Sequence, residues 1–314
     1  MYKRGLVLAI LLFGSLIWGA GSIQAATFST KNFIAITSDP RAAEQLANRA
    51  EYLRAKLSVF WLGKEIRNWS KPCKIYIKLG NDLLPGGATT FTINNGEVYG
   101  WKMEVQGSRD RVYDSVLPHE ITHMILASHF RRPLPRWADE GAATFTEHQS
   151  ERSKYQQQLY KALKTKHGIP LDRLFAMEEY PQDPMPLYAH GFSIVEFLIR
   201  QRGPHYFVSF VDACISQEND WDTLVYEFYG YSSLEKLQND WVSWVEHGTP
   251  EFVGTNMISG NGVAAPKLTV QSSSLMENST FNESVQVVAQ PKVQPSSTPV
   301  NWSTTHINSA VEQH

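Results

Sequence analysis

His119-Glu120-Ile121-Thr122-His123 lies in a segment, Tyr113 to about Ser128, whose apolar spacing reads as one helix. Two histidines four residues apart project from one helix face about a turn apart, so both imidazoles can reach a single zinc ion. Glu120, one position on, points beside that ion rather than onto it, where a carboxylate can act as general base toward water. Leu117, Ile121, Met124, Ile125 and Ser128 gather on the face away from the histidines. That pattern predicts a helix that buries one side and turns the other to a cleft. A surface helix with two unrelated histidines is the bland alternative, since such a pentapeptide arises by chance in roughly one chain of this length in a hundred. The flanking sequence has to supply the rest of a site.

A catalytic zinc takes three protein ligands and leaves a fourth position for water or substrate. Two residues compete for third place. His129 stands six residues after His123, the spacing of the metzincin pattern HExxHxxGxxH, but Leu126 occupies the position where that pattern has its glycine. A continuing helix would carry His129 about 9 Å along the axis and rotate it away from the pair. The other candidate is Glu140, in Arg136-Trp137-Ala138-Asp139-Glu140-Gly141-Ala142-Ala143. Pro133 and Pro135 break the chain before it, so a second helix can return antiparallel and aim a carboxylate at the histidines. Asp139 is a second possible ligand, an acceptor for a histidine N–H, or a solvated charge at a helix start.

An HExxH helix, a proline-containing break and then W-x-x-E-G-x-A resemble the gluzincin arrangement of the peptidase-MA-like families and, more distantly, the zinc aminopeptidases. The resemblance implies a zincin-like zinc metallopeptidase in which His119, His123 and Glu140 hold the metal and Glu120 is the base. Tyr188-Ala189-His190-Gly191-Phe192-Ser193-Ile194-Val195-Glu196-Phe197-Leu198 is similar to the Y-A-x-x-x-S-x-V-x-F-L segment of the same proteins, and Leu234 to Trp244 to their closing helix. The likeness covers Pro118 to Val245 and, loosely, the strands before it. Sixteen residues separate His123 from Glu140, a little fewer than is common in the aminopeptidases. Gluzincins commonly steady the oxyanion with a Tyr or His from a later helix, which makes Tyr188 and His190 the candidates here. Their alternatives are a core tyrosine and a solvent-facing histidine. Glu147 and His148, two turns beyond Glu140, read as surface residues.

Ahead of the metal helix the chain is mostly β-like. Asn32 to Thr37 and the alternating Lys74 to Leu79 read as strands, and Asp39-Pro40 opens a helix to about Trp61. Thr89 to Ile93 and Glu97 to Val105 flank Asn94-Asn95-Gly96, a hairpin signal. In zincins an edge strand before the active helix pairs with extended substrate, and Gly100 to Val105 is the expected strand. Its Met103-Glu104 resembles part of the aminopeptidase G-x-M-E-N motif, with Val105 in place of Asn. Behind the metal helix only helices are expected: about Trp137 to Lys166, Tyr188 to Arg202, Tyr206 to Ile215 and Leu234 to Val245. The fold class is therefore α+β, zincin-like: a small N-terminal mixed sheet with the active-site helix, then a mainly helical C-terminal subdomain.

Met1-Tyr2-Lys3-Arg4, an apolar run from Gly5 to about Ala20 and the small-residue exit Ile23-Gln24-Ala25-Ala26 read as a signal peptide over 1–25. An uncut anchor is the alternative, and only then is a membrane a partner. The peptidase domain is expected over 26–249, its sheet and metal helix in 26–132 and its helices in 133–249. A Ser/Thr/Asn/Gln-rich tail, read as disordered, fills 250–314. Asn68, Asn278, Asn282 and Asn301 head glycosylation sequons. The two cysteines, Cys73 and Cys214, form either one disulfide or two buried thiols. A net charge of −2 without dense basic runs excludes a nucleic-acid partner. The function expected is hydrolysis of peptide or protein substrates by an exported, periplasmic or extracellular enzyme carrying one zinc ion; the alternative is a zincin-shaped envelope module that binds without turnover.

Overall fold

The computed structural model describes residues 25–216, 220–251 and 300–301; the expected signal peptide and nearly all of the expected tail lie outside the described residues. Two short strands, β1 (Ala26–Ser29) and β2 (Phe33–Thr37), pair antiparallel. Helix α1 (Pro40–Leu62) then starts on Asp39, whose side chain accepts the Arg41 N–H, with Pro40 in the first turn. It stops at Gly63, which adopts φ +72° and returns its N–H to the Val59 carbonyl. The chain re-enters the sheet as β3 (Cys73–Leu79), parallel to β2. Cys73, Ile75 and Ile77 point into the core and Lys74, Tyr76 and Lys78 out, the alternation a sheet buried on one face demands.

Strands β4 (Gly86–Asn94) and β5 (Glu97–Gly107) form the expected hairpin. Asn95 (φ +50°) and Gly96 (φ +74°) both take positive φ, as a tight turn matched to strand twist requires. The sheet order is β1-β2-β3-β5-β4, with β6 (Val300–Asn301) beyond β4. Since β5 runs parallel to β3 and antiparallel to β4, both of its edges are taken. The expectation that Gly100 to Val105 is the free edge is therefore corrected: sequence neighbours in a hairpin need not sit in that order across a sheet. The outer strand is β4, and β6 meets it only at Thr92 and Ile93. Among the described residues no strand pairs with the outer edge of Gly86 to Thr90.

From β5 the chain turns through α2 (Arg109–Arg111) and a π-helical turn, Val112–Val116, directly into α3 (Leu117–Phe130), the helix that carries both histidines. Every residue of α3 from Leu117 to Ala127 is buried. Leu117, Ile121, Met124 and Ile125 belong to the core beneath the sheet, whereas Leu126 and Phe130 belong to a second core among the later helices. The helix thus divides two cores, and its histidine face is covered by helix rather than open to a wide cleft.

That cover is α4 (Arg136–Phe145), packed against α3 on one side and α7 (Met185–Arg202) on the other. The single long helix expected over 137–166 is two: Thr146 to His148 break it, and α5 (Gln149–Lys164) starts anew with the His148 imidazole accepting the Ser150 N–H. A short α6 (Leu171–Phe175), α8 (Pro204–Ser216), α9 (Trp221–Tyr229) and α10 (Leu234–Glu246) complete the helical part. Cys73 and Cys214 are free thiols in different cores, and burial pushes both well above the usual thiol range. Among the described residues no helix is long and apolar enough to cross a membrane.

Candidate metal centre

His119, His123 and Glu140 converge, with one ligand atom from each lying within 4.8 Å of the others. Glu140 Oε2 is 3.5 Å from His119 Nε2 and 3.6 Å from His123 Nε2. Two donors bound at about 2.1 Å to one tetrahedral zinc stand about 3.4 Å apart, so these spacings fit an ion between them better than direct hydrogen bonds. Glu140 Oε2 and His123 Nε2 are buried atoms without a hydrogen-bond partner, a costly arrangement unless something else binds them. The imidazoles are fixed from behind. His119 Nδ1 is 2.8 Å from Glu147 Oε1, and His123 Nδ1 is 2.7 Å from Asp139 Oδ1. Each carboxylate holds the Nδ1 proton and leaves Nε2 as the atom facing Glu140.

These carboxylates also set the charge preference of the site. Burial alone would lower the His119 pKa, but Glu140 and Glu147 hold it well above the ordinary histidine range. For His123 burial is likewise outweighed, by Asp139 and Glu140, and its pKa is raised. The pocket favours a cation, whether protons or a metal.

Glu120 lies on the same helix but outside the triad. Burial raises its pKa, against the opposing pull of both imidazoles and a hydrogen bond from Thr89. Thr89 Oγ1, on β4, donates to Glu120 Oε2 at 2.7 Å. Two residues earlier the strand passes so close that a Cβ on Gly87 would lie 2.8 Å from Glu120 Oε1. Glu120 therefore sits against the outer strand of the sheet.

The two oxyanion candidates part ways. The Tyr188 ring lies 6.4 Å from that of His119, and its hydroxyl is buried without a hydrogen-bond partner. Burial raises its pKa well above the ordinary phenol range, and the Glu140 charge adds to that, so it stays a protonated donor. His190 is committed elsewhere: Nε2 accepts the Ile169 N–H at 2.9 Å and Nδ1 lies 2.7 Å from the Pro186 carbonyl. Neither nitrogen is left for a substrate, so the expectation for His190 is corrected to one of pinning the loop before α6. His129 stays apart from the cluster as the unbroken helix requires. A cavity of about 430 Å³, lined by Asn81, Leu83 and Ser108 to Arg111, shares no residue with the triad.

Among solved structures the chain resembles an M1 zinc metallopeptidase from Deinococcus radiodurans, at 16% identity and a TM-score of 0.35, with 70% of this chain and 51% of that one covered. A point mutant of the same enzyme gives 15%, 0.36, 70% and 52%. That mutant bound to a Tyr-Ser-Ala substrate gives 16%, 0.33, 70% and 51%. The chain thus spans about half the length of those structures. No protein-family model matches the chain, and no curated protein does. The reading of the centre rests on its own geometry.

Three residues at the centre escaped the sequence. Glu147, read as a surface charge, is 2% exposed because the break after Thr146 turns it back onto His119. Thr89 had no signal beyond its place in a β-rich run. Tyr180, between α6 and α7, donates its hydroxyl to Glu140 Oε1 at 2.5 Å; nothing in the surrounding Glu-Glu-Tyr-Pro marks it.

Proposed function

We propose that this chain is an exported zinc-dependent peptidase in which His119, His123 and Glu140 hold the ion. The carrying observation is the convergence of three buried donors, two of them with unpartnered atoms aimed at one another. Bound there, zinc would supply Lewis acidity, polarising a peptide carbonyl and lowering the pKa of water. Glu120, beside the triad, takes a proton from the attacking water and passes it to the leaving amine. Tyr188 donates its unpartnered hydroxyl to the carbonyl oxygen as charge develops there. An extended peptide is aligned by adding as a strand to the outer edge of β4, unpaired over Gly86 to Thr90 among the described residues, where the strand passes against Glu120.

One observation favours the second reading, a zinc-holding module without turnover. Residues His119, Glu120, His123 and Tyr188 are only 0–3% exposed, so a peptide reaches them only if the surrounding shell opens.

Metal analysis of the purified chain, with peptide-library hydrolysis by wild type and Glu120→Ala, tests both. The expected result is about one zinc in each protein, with hydrolysis lower by at least about 100-fold in the variant. Equal hydrolysis removes Glu120 from the mechanism. Zinc without hydrolysis in wild type selects the binding module, and absence of zinc ends both readings.

A further inference from the structure

Tyr180 touches the proposed metal centre without belonging to the chemistry just described. It lies in the 176–184 connection, and α4 grips that connection with one side chain. The Arg136 guanidinium sits 4.4 Å from the Tyr180 ring centroid, places Nη1 3.5 Å from the phenol oxygen, and donates from Nε to the Glu178 carbonyl at 3.0 Å. Arg136 and Glu140 are four residues apart on α4 and so share one face. The tyrosine is thereby held between the cation above and the carboxylate below.

We infer that Tyr180 is a positioning residue for Glu140, holding Oε1 so that a single oxygen, Oε2, is presented to the metal. This rests on reading the triad as a zinc site. The two carboxylate oxygens are not equivalent: Oε1 accepts the phenol hydroxyl at 2.5 Å, while Oε2 faces both His Nε2 atoms and has no hydrogen-bond partner. An O–H···O⁻ contact of that length is in the charge-assisted range and strongly directional. It stops the carboxylate from turning about its terminal bond, and it withdraws charge from the oxygen that would otherwise compete with Oε2. Without the hydroxyl, both oxygens become available to the ion, and the side chain gains a rotational freedom it must lose again on binding. The alternative for Tyr180 is a partly buried ring whose value is its packing on Arg136.

Tyr180→Phe separates the two, because it keeps the ring and its stacking and removes only the hydroxyl. The chelated protein is titrated with zinc by competition, and separately loaded with cobalt as a spectroscopic probe. We expect zinc affinity to fall about 10–100-fold, the usual consequence of losing a partner behind a ligand. The visible cobalt spectrum at saturation should also change in intensity, as the second carboxylate oxygen joins the ion. Affinity within about twofold of wild type, or a cobalt spectrum superimposable on it, overturns the proposal. Should the phenylalanine form not fold, Tyr180→Gln, which keeps an N–H donor, is set against Tyr180→Leu, which has none: zinc bound at least about tenfold more tightly by the glutamine form upholds the hydrogen bond, and equal binding by the two overturns it. If wild type itself takes up neither zinc nor cobalt, the zinc reading of the triad has failed, a result distinct from equal binding by both proteins.

Discussion

Adding one methyl group at Gly141 should disable the proposed metal centre from the position next to its proposed carboxylate ligand, Glu140. Gly141 lies where α4 crosses α7, and it meets Gly191 there. A Cβ at 141 would fall 2.3 Å from the Gly191 carbonyl oxygen, 2.5 Å from its carbon and 2.7 Å from Val195 Cγ2. The first two atoms are backbone and cannot swing aside as a side chain does. Ordinary contact begins at 3.4 Å, so the two helices must part by about 1.1 Å. Overpacking typically costs about 1–3 kcal/mol, and a backbone clash puts this case at the upper end. In a domain of this size, about 3 kcal/mol lowers Tm by roughly 6–12 °C. The same displacement moves Glu140 on α4 and Tyr188 on α7 relative to the imidazoles on α3. A shift of about 1 Å, set against donor spacings of 3.5 and 3.6 Å, degrades the triad, and misplacements of that size cost about 100-fold in rate. Thermal melting, zinc titration and peptide hydrolysis read the three effects separately. Gly96→Ala is the comparator: φ is +74° and nothing lies within 4 Å of the added carbon. It should cost about 1–2 kcal/mol of local strain and leave zinc affinity alone. If Gly141→Ala melts within about 2 °C of wild type and binds zinc equally well, the close crossing does not set the ligand geometry.

Gly87→Ala poses a softer clash, with Val116 Cγ1 at 2.6 Å and Glu120 Cγ and Oε1 at 2.8 Å, all side-chain atoms. The fold should survive with zinc content unchanged while kcat drops about 10–100-fold as Glu120, the proposed base, is pushed aside; an unchanged kcat would show that Glu120 has slack the structure does not suggest. Glu147→Gln keeps the size but not the charge behind His119, so zinc affinity should fall about 10–100-fold, and an unaltered affinity would make that contact incidental. His190 gives a pH signature. Burial lowers its pKa, only partly offset by the Pro186 carbonyl, so the unfolded chain, with a pKa near 6.5, takes up the proton first. That contribution to stability is full above the unfolded value and is lost as pH falls from there through the folded one. Melting curves of wild type and His190→Gln should therefore converge as pH drops below about 6.5; divergence would mean the wrong sign.

The parts of this molecule legible in the sequence are those governed by short-range rules. Asp39-Pro40 opens α1 and Asn95-Gly96 closes the hairpin because caps and tight turns need particular residues at adjacent positions. The HExxH pair and Glu140 were legible because helical spacing and a proline break constrain where three side chains go. What was hidden depends on crossings between distant elements. The place of β5 inside the sheet is set by its pairing with β3, some 28 residues away along the chain. Glu147 looked solvated because its burial depends on Thr146 to His148 ending α4, a break with no proline or glycine to announce it. Gly141 and Gly191 could be seen individually, but not that they meet.

The burial of Glu147 changes how the centre is understood, because it adds a carboxyl group to those already gathered there. Glu120, Asp139, Glu140 and Glu147 are four carboxyl groups with 0–3% exposure, gathered around two imidazoles. Burying carboxylates costs several kcal/mol each unless hydrogen bonds or opposite charge compensate. Thr89 and Tyr180 supply hydroxyl donors, and the imidazole Nδ1 protons supply two more. Those bonds satisfy individual oxygens, yet burial still holds the Glu120 and Glu147 pKa values above the usual carboxylate range. Glu140 Oε2 remains without a hydrogen bond where it faces both imidazole Nε2 atoms. A divalent cation between Glu140 and the imidazoles would offset buried negative charge and take the facing lone pairs as its ligands. The electrostatics of the surroundings thus lead to the same point as the geometry of the triad, by an argument in which neither the HExxH pattern nor any resemblance takes part.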